Sequence, residues 1–292
     1  MRLGIVTPVV ILNPRFDPPE WERNGGIEDV VAVARTAEAA GYDFVSCSEH
    51  VVVPGRAAEI AGAMYWDPLA TLSFVAARTD RIGLLTHVLV LGLHHPLEVA
   101  KRYGTLDVMS GGRVLLGVGT GTLQREFDVL GASWEDRGAR ADDAMAAIRA
   151  AFGNPRPAHE GPYYPFAKVA LEPCGLERRV PMWVGGRTRR SLRRAVELGD
   201  GWIPFGLELP ALSALLADEV LAEARAARPE FEIVLAPEPP LDPVGEPETC
   251  AEAVRAYAAA GATALHLRFV HESRRHYEEQ VQAMAEVVRS AL

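Results

Sequence analysis

The chain has 292 residues, 49% of them hydrophobic, and a formal net charge of -9 at pH 7. Length and apolar share suit one large α/β domain spanning residues 1–292, and the absence of any basic stripe excludes a nucleic-acid-binding class. Three sparse cysteines, Cys47, Cys174 and Cys250, exclude a disulfide framework and a CxxC zinc site, and read as reduced thiols of a cytoplasmic protein.

The opening MRLGIVTPVVIL is broken by Pro8 and stopped by Asn13-Pro14. It predicts a strand, Leu3 to Val6, and a loop rather than a targeting segment, and no apolar run is long enough to cross a membrane. Ile27, Val30, Val31, Ala34 and Ala37 fall at helical spacing and end at Gly41. Phe44 to Cys47 is a second strand, followed by a long loop from Val51 to Trp66. Asp67 then caps a helix that Pro68 opens and that runs to about Arg78.

Ile82 to Leu91 is a nearly continuous apolar run, which suits a parallel strand covered on both faces. Pro96 opens a helix with Leu97, Ala100, Tyr103 and Leu106 on one face, and Val114 to Val118 is a fourth strand. After a glycine-rich loop comes a helix from about Glu135 to Phe152. Val180 to Val184, Thr188 to Leu198 and Gly201 to Pro204 read as strand, helix and strand. A helix from Pro210 to Ala226, a strand from Glu232 to Leu235, a helix from Glu248 to Ala260, a strand from Leu265 to Phe269 and a helix from Ser273 to Leu292 complete the pattern. Eight strands alternating with eight helices favour a (β/α)8 TIM barrel over an open sheet. Chemistry is then expected just after the strands.

Glu49-His50 follows the second strand directly. A carboxylate and an imidazole there suit proton handling or hydrogen bonding to a heterocycle, or the satisfaction of loop backbone. As neighbours in the chain, they can point apart. Thr86, His87 and Val88 lie in the third strand, where His87 is either a satisfied core residue or part of the barrel mouth. His94, His95 and Glu98 lack a third ligand at matching spacing, so capping is favoured over metal and no metal is expected. Gly117, Gly119 and Gly121 follow the fourth strand, but Thr122 and Gln124 break a dinucleotide fingerprint. That segment is a tight turn or a seat for a flat ring or its phosphate. Gly185-Gly186-Arg187 precedes a helix, an arrangement that suits an anion, while Thr188 suits a plain cap. Arg187, Arg189, Arg190, Arg193 and Arg194 fit a solvated helix face, and Asp142-Asp143 reads as surface.

Several stretches together resemble the bacterial luciferase-like superfamily, especially its coenzyme-F420-dependent branch. They are AEAAGYDFVSCSEHVVVP (37–54), RIGLLTHVLVLGLHHPLEVAKRYGTLDVMSGGRVLLGVGTG (81–121), FDVLGASWEDRG (127–138) and VPMWVGGRTRRSLRRAVELGDGWIP (180–204), with AAAGATALHLRF (258–269) as a looser match. The resemblance implies an oxidoreductase moving hydride between coenzyme F420 and a small-molecule substrate. FMN, serving a monooxygenase that uses oxygen, is the alternative cofactor, and a non-catalytic flavin-binding protein is a third reading. The resemblance also implies a homodimer or higher homo-oligomer. It places Glu49 and His50 by the ring and a non-proline cis peptide at Thr86-His87 or His87-Val88, the latter favoured. It gives the cofactor's phosphate and side chain to Gly119, Thr120, Gly121 and Thr122 and to Gly185, Gly186 and Arg187. The chain departs from the family in three places. Ser48-Glu49-His50 stands where the branch commonly has Ser-Asp-His, His87 where relatives usually have Gly, and Thr122 where sugar-phosphate-using relatives have Glu.

Overall fold

The structure, a computed structural model, describes residues 1–14, 17–176 and 179–292. Eight parallel strands close into a barrel: β1 (Arg2–Val6), β2 (Phe44–Cys47), β3 (Gly83–Val90), β4 (Val114–Gly119), β5 (Met182–Gly185), β6 (Gly201–Ile203), β7 (Glu232–Leu235) and β8 (Ala264–Leu267). Each pairs with the next in sequence, and β8 returns to β1 with Leu3 opposite Leu265. Helices connect successive strands on the outside, as the (β/α)8 reading of the sequence requires.

Local chemistry sets the element ends. The Asp67 carboxylate accepts from the Ala70 amide at 2.7 Å and starts the helix Pro68–Ala76. The His95 ring does the same for Leu97 at 3.2 Å, at the head of Pro96–Ser110, so His95 caps rather than ligates. The fifth strand begins at Met182, not Val180, because Pro181 has no N–H to give the ladder. The helix expected from Pro210 to Ala226 is two, Leu209–Leu216 and Glu219–Ala227. Asp218 stops the first and caps the second by accepting from Val220 at 3.1 Å.

The segment from Val51 to Trp66 is more ordered than its composition suggests. It holds a helix, Gly55–Ala61, and a short strand, Met64–Tyr65, that pairs antiparallel with Ile11–Leu12. The loops after β1 and β2 are thereby tied together. A helix the sequence reading did not resolve, Gln124–Leu130, follows the glycine-rich loop after β4.

The barrel interior is layered. Phe44, Leu85, Leu115, Trp183, Ile203, Val234 and Ala264, one from each strand after the first, form their own buried cluster. The first strand contributes Gly4, where a β-carbon would come within 2.0 Å of the Phe44 ring, so glycine lets that ring fill the axis. Successive inward residues on a strand are two apart. The next layer towards the C-terminal rim is therefore Ser46, His87, Gly117, Gly185 and His266, and the apolar floor gives way to polar and small residues.

Two expectations about the outer surface do not hold. Arg194 is buried and ion-paired with Asp142, and Arg189 pairs with Asp218 at 2.7 Å, so the arginine run is not one solvated face. Asp143 is buried and accepts from His159 at 2.7 Å and from the Tyr163 and Tyr164 amides, fastening the segment after its helix. Among the described residues no helix is long and apolar enough to cross a membrane, and no cluster of three or more His, Cys, Asp or Glu side chains could hold a metal.

Candidate active site

The site is built at the C-terminal rim, where β3 is irregular. Its ladder with β4 shifts register between Thr86 and Leu89, and the His87–Val88 peptide is cis, the favoured one of the two positions. Thr86 is fully buried and donates its hydroxyl to the Gly117 carbonyl at 2.8 Å, so it belongs to the wall rather than the mouth. Val88 lies beside Gly119 and Gly185. A β-carbon on Gly119 would meet Val88 Cγ2 at 2.8 Å, and one on Gly185 would meet Cγ1 at 2.9 Å. These two glycines thus make room for the valine, and three sequence-predicted residues meet at one point.

His87 turns inward. Its ring meets the edge of His266 at 4.5 Å between centroids and that of Phe205 at 6.0 Å. Its Nε2 is buried and has no hydrogen-bond partner among the described residues. Burial, with the Arg268 charge adding to it, pushes the His87 imidazole down to about 4, so the ring is neutral at pH 7. Burial also holds His266 well below its ordinary value. His266 Nε2 lies 2.8 Å from Ser46 Oγ, which donates to the Ile5 carbonyl at 3.2 Å. Above them Arg268 is ion-paired with Glu238.

Glu49 and His50 part company at the end of β2. Both Glu49 oxygens are engaged on the outer side of the barrel: Oε2 accepts from the Val90 amide at 2.7 Å and Oε1 lies 2.8 Å from His94 Nε2. Burial pushes the His94 imidazole down, but the Glu49 hydrogen bond and charge outweigh it and leave His94 above its ordinary value. A cavity of about 320 Å³ lies there, between strand and helices, lined by Glu49, His94, Arg102 and Tyr103 among others. Glu49 therefore braces the irregular end of β3 through Val90.

His50 stays near the mouth, half-buried. Its Nδ1 lies 2.8 Å from Glu126 Oε2, and its ring meets the Tyr65 ring edge-on at 4.6 Å. Glu126, on the helix Gln124–Leu130, is buried, and its other oxygen accepts from Val51 at 2.9 Å and Val52 at 3.3 Å. Burial pulls the Glu126 carboxyl upward. The His50 hydrogen bond and charge, with the two amides, outweigh this and hold it below the usual carboxylate range. Sequence reasoning missed Glu126, His266 and Arg268. The usable signal for the last two was position: both stand at the rim end of β8.

The glycine-rich loop and the β5 end flank this point. Thr120 and Gly121 are partly exposed and Thr122 is exposed. Thr188 and Ser191 cap the helix Arg189–Leu198 reciprocally, the Gly186 carbonyl accepts from Trp202 Nε1 at 3.0 Å, and Arg187 is exposed. The helix cap is thus satisfied internally, and the group left for an anion is the Arg187 guanidinium. A flat heterocycle with an acidic tail fits these residues: Val88 is an apolar seat, His50 and the orphaned His87 nitrogen offer hydrogen-bonding capacity, and Arg187 offers charge.

Residues 1–243 match the family described as Luciferase-like monooxygenase. The F420-dependent glucose-6-phosphate dehydrogenase of Microbacterium testaceum is 29% identical over 267 residues, 88% of this chain and 77% of that protein. The coenzyme F420-dependent tetrahydromethanopterin reductase of Methanopyrus kandleri superposes with a TM-score of 0.74 at 14% identity, covering 99% of this chain and 98% of that one. The oxygenating constituent of 3,6-diketocamphane monooxygenase of Pseudomonas putida, in complex with FMN, gives a TM-score of 0.74 at 16% identity, covering 100% and 98%. At such identities these two structures speak for the fold. The family match, which covers most of the chain, identifies it: this protein is a member of the luciferase-like monooxygenase family, an oxidoreductase built as a (β/α)8 barrel.

Proposed function

We propose that this chain transfers hydride between coenzyme F420 and a small organic substrate at the barrel mouth. The observation that carries the reading is the seat itself: Val88 set between Gly119 and Gly185, with the His50 imidazole at the same rim. A curated relative aligned over 88% of the chain bears an F420-dependent dehydrogenase name, which favours the deazaflavin over FMN.

Val88 and His87 would underlie the ring, Gly119, Thr120, Gly121 and Thr122 would border it, and Arg187, directly after Gly185-Gly186, would take the acidic tail. A bound deazaflavin supplies a ring carbon that accepts or gives hydride. The protein's own part is orientation and proton handling. Thr122 has no titratable proton in the useful range, so His50 Nε2 is the proton-transferring atom of this reading. Glu49 acts at a distance, holding the Val90 amide and so the end of β3. The polar layer of Ser46, His87 and His266 stays neutral and supplies dipoles without a charge.

Titration with coenzyme F420 and, separately, with FMN, followed by fluorescence quenching, tests the assignment. Saturable deazaflavin binding, and reduction of the bound cofactor by a substrate from an alcohol and sugar-phosphate panel, is the expected result. Tight FMN binding with no deazaflavin binding overturns it in favour of an oxygen-using monooxygenase. Deazaflavin binding with no turnover by any donor or acceptor points to a carrier.

A further inference from the structure

The carboxylate that serves His50 is not its chain neighbour. Glu126 lies 76 positions away and has the buried, saturated geometry of an ionised acceptor. A carboxylate has no hydrogen to give, so the 2.8 Å contact requires the hydrogen to sit on His50 Nδ1. Nε2, on the far side of the ring, makes no hydrogen bond among the described residues, and the His50 side chain is partly exposed. We infer that Glu126 is a positioning residue: it fixes His50 as the Nδ1–H tautomer, leaving the Nε2 lone pair as the proton acceptor of the site.

Three features support this beyond the single distance. The same carboxylate grips the Val51 and Val52 amides, so it anchors the backbone on which His50 stands as well as the ring. The Tyr65 ring closes one side of the imidazole, leaving little freedom for the ring to flip. The helix carrying Glu126 begins directly after the Gly119–Thr122 loop, so a group settling on that loop would act on the element that orients His50. Once Nε2 has taken a proton, the adjacent carboxylate stabilises the imidazolium and readies it to return that proton.

The assignment of Nε2 as a proton acceptor rests on the proposed function, but the tautomer does not, and it can be read without any cofactor. The full-length protein, labelled with 15N on histidine, is examined by long-range 1H–15N correlation at alkaline pH, with His50→Gln identifying the His50 signals. We expect the Nδ1–H pattern in the unaltered chain. In Glu126→Gln the two loop amides hold the amide oxygen, so the NH2 group faces Nδ1, and His50 is expected to switch to the Nε2–H tautomer. Turnover should fall about 10²-fold or more in kcat with little change in KM, as for loss of a correctly protonated general base. Glu126→Asp should restore the Nδ1–H pattern and part of the rate. An Nε2–H tautomer in the unaltered chain, or no switch in a folded Glu126→Gln protein, overturns the inference. If Glu126→Gln does not fold, the unaltered protein decides alone. If the tautomer is as expected and neither cofactor binds, the proposed function fails and the positioning role stands.

Discussion

Val88 occupies the space that a β-carbon on Gly119 would need, with Cγ2 2.8 Å from that position. Two strands thus meet at the rim through a valine and an absent side chain. Gly119→Ala should destabilise the protein by about 1–3 kcal/mol, as overpacking does, and weaken cofactor binding by displacing Val88. Val88→Ala in the same chain should recover most of the stability, a strongly non-additive pair. Urea denaturation of the two single variants and the double variant measures it; simple additivity would mean that Val88 is not what Gly119 accommodates.

Acid sensitivity should carry a signature of His87. Its folded value is depressed to about 4, so below the ordinary imidazole range near 6.5 the unfolded chain binds a proton that the folded one refuses. Stability therefore falls as pH drops from about 7 to 4. His87→Gln should remove roughly 2 kcal/mol of that loss by pH 5. Comparing urea midpoints of variant and parent at pH 7.5 and pH 5 isolates this group from the carboxylates. Equal pH slopes would show the imidazole to be protonated in the fold.

Exposed Arg187 should matter to binding and not to folding. Arg187→Ala is expected to weaken binding of a cofactor with an acidic tail about tenfold, equivalent to about 1.4 kcal/mol, with thermal unfolding unchanged. The loss should shrink at high salt because an exposed charge is screened. Fluorescence titration at low and high ionic strength checks it, and an unchanged affinity would move the anion site elsewhere.

The cysteines should be silent in the native protein. Burial pushes the Cys47 thiol up to about 12, and Cys174 and Cys250 are also buried and raised. Iodoacetamide at neutral pH is expected to leave Cys47 unmodified in the folded chain and to alkylate all three in denaturant. Intact and peptide mass spectrometry read the outcome; rapid native labelling of Cys47 would contradict its burial.

The barrel was legible because its strands are short apolar runs set between capped helices, and Phe44–Cys47 and Glu232–Leu235 fall where the pattern puts them. Ends set by one special residue, such as Pro181, were not legible from hydrophobic period alone. Nor was the helix Gln124–Leu130, whose seven residues, about two turns, offer too little apolar periodicity. At the site, Glu49 and His50 part as neighbours at a strand end can, because successive residues there face opposite sides. The partner of each came from elsewhere: His94 on the outer side of the barrel and Glu126 from the helix Gln124–Leu130. Asp143 and Arg194 show the same limit, since burial of a charge depends on a counter-charge that only the fold brings near.

The apolar floor of the barrel, completed by Phe44 over Gly4, has a consequence for traffic. With the axis stoppered at one end, no molecule can be threaded through the barrel. Whatever reaches the polar layer around His87 and His266 arrives and departs by the same doorway.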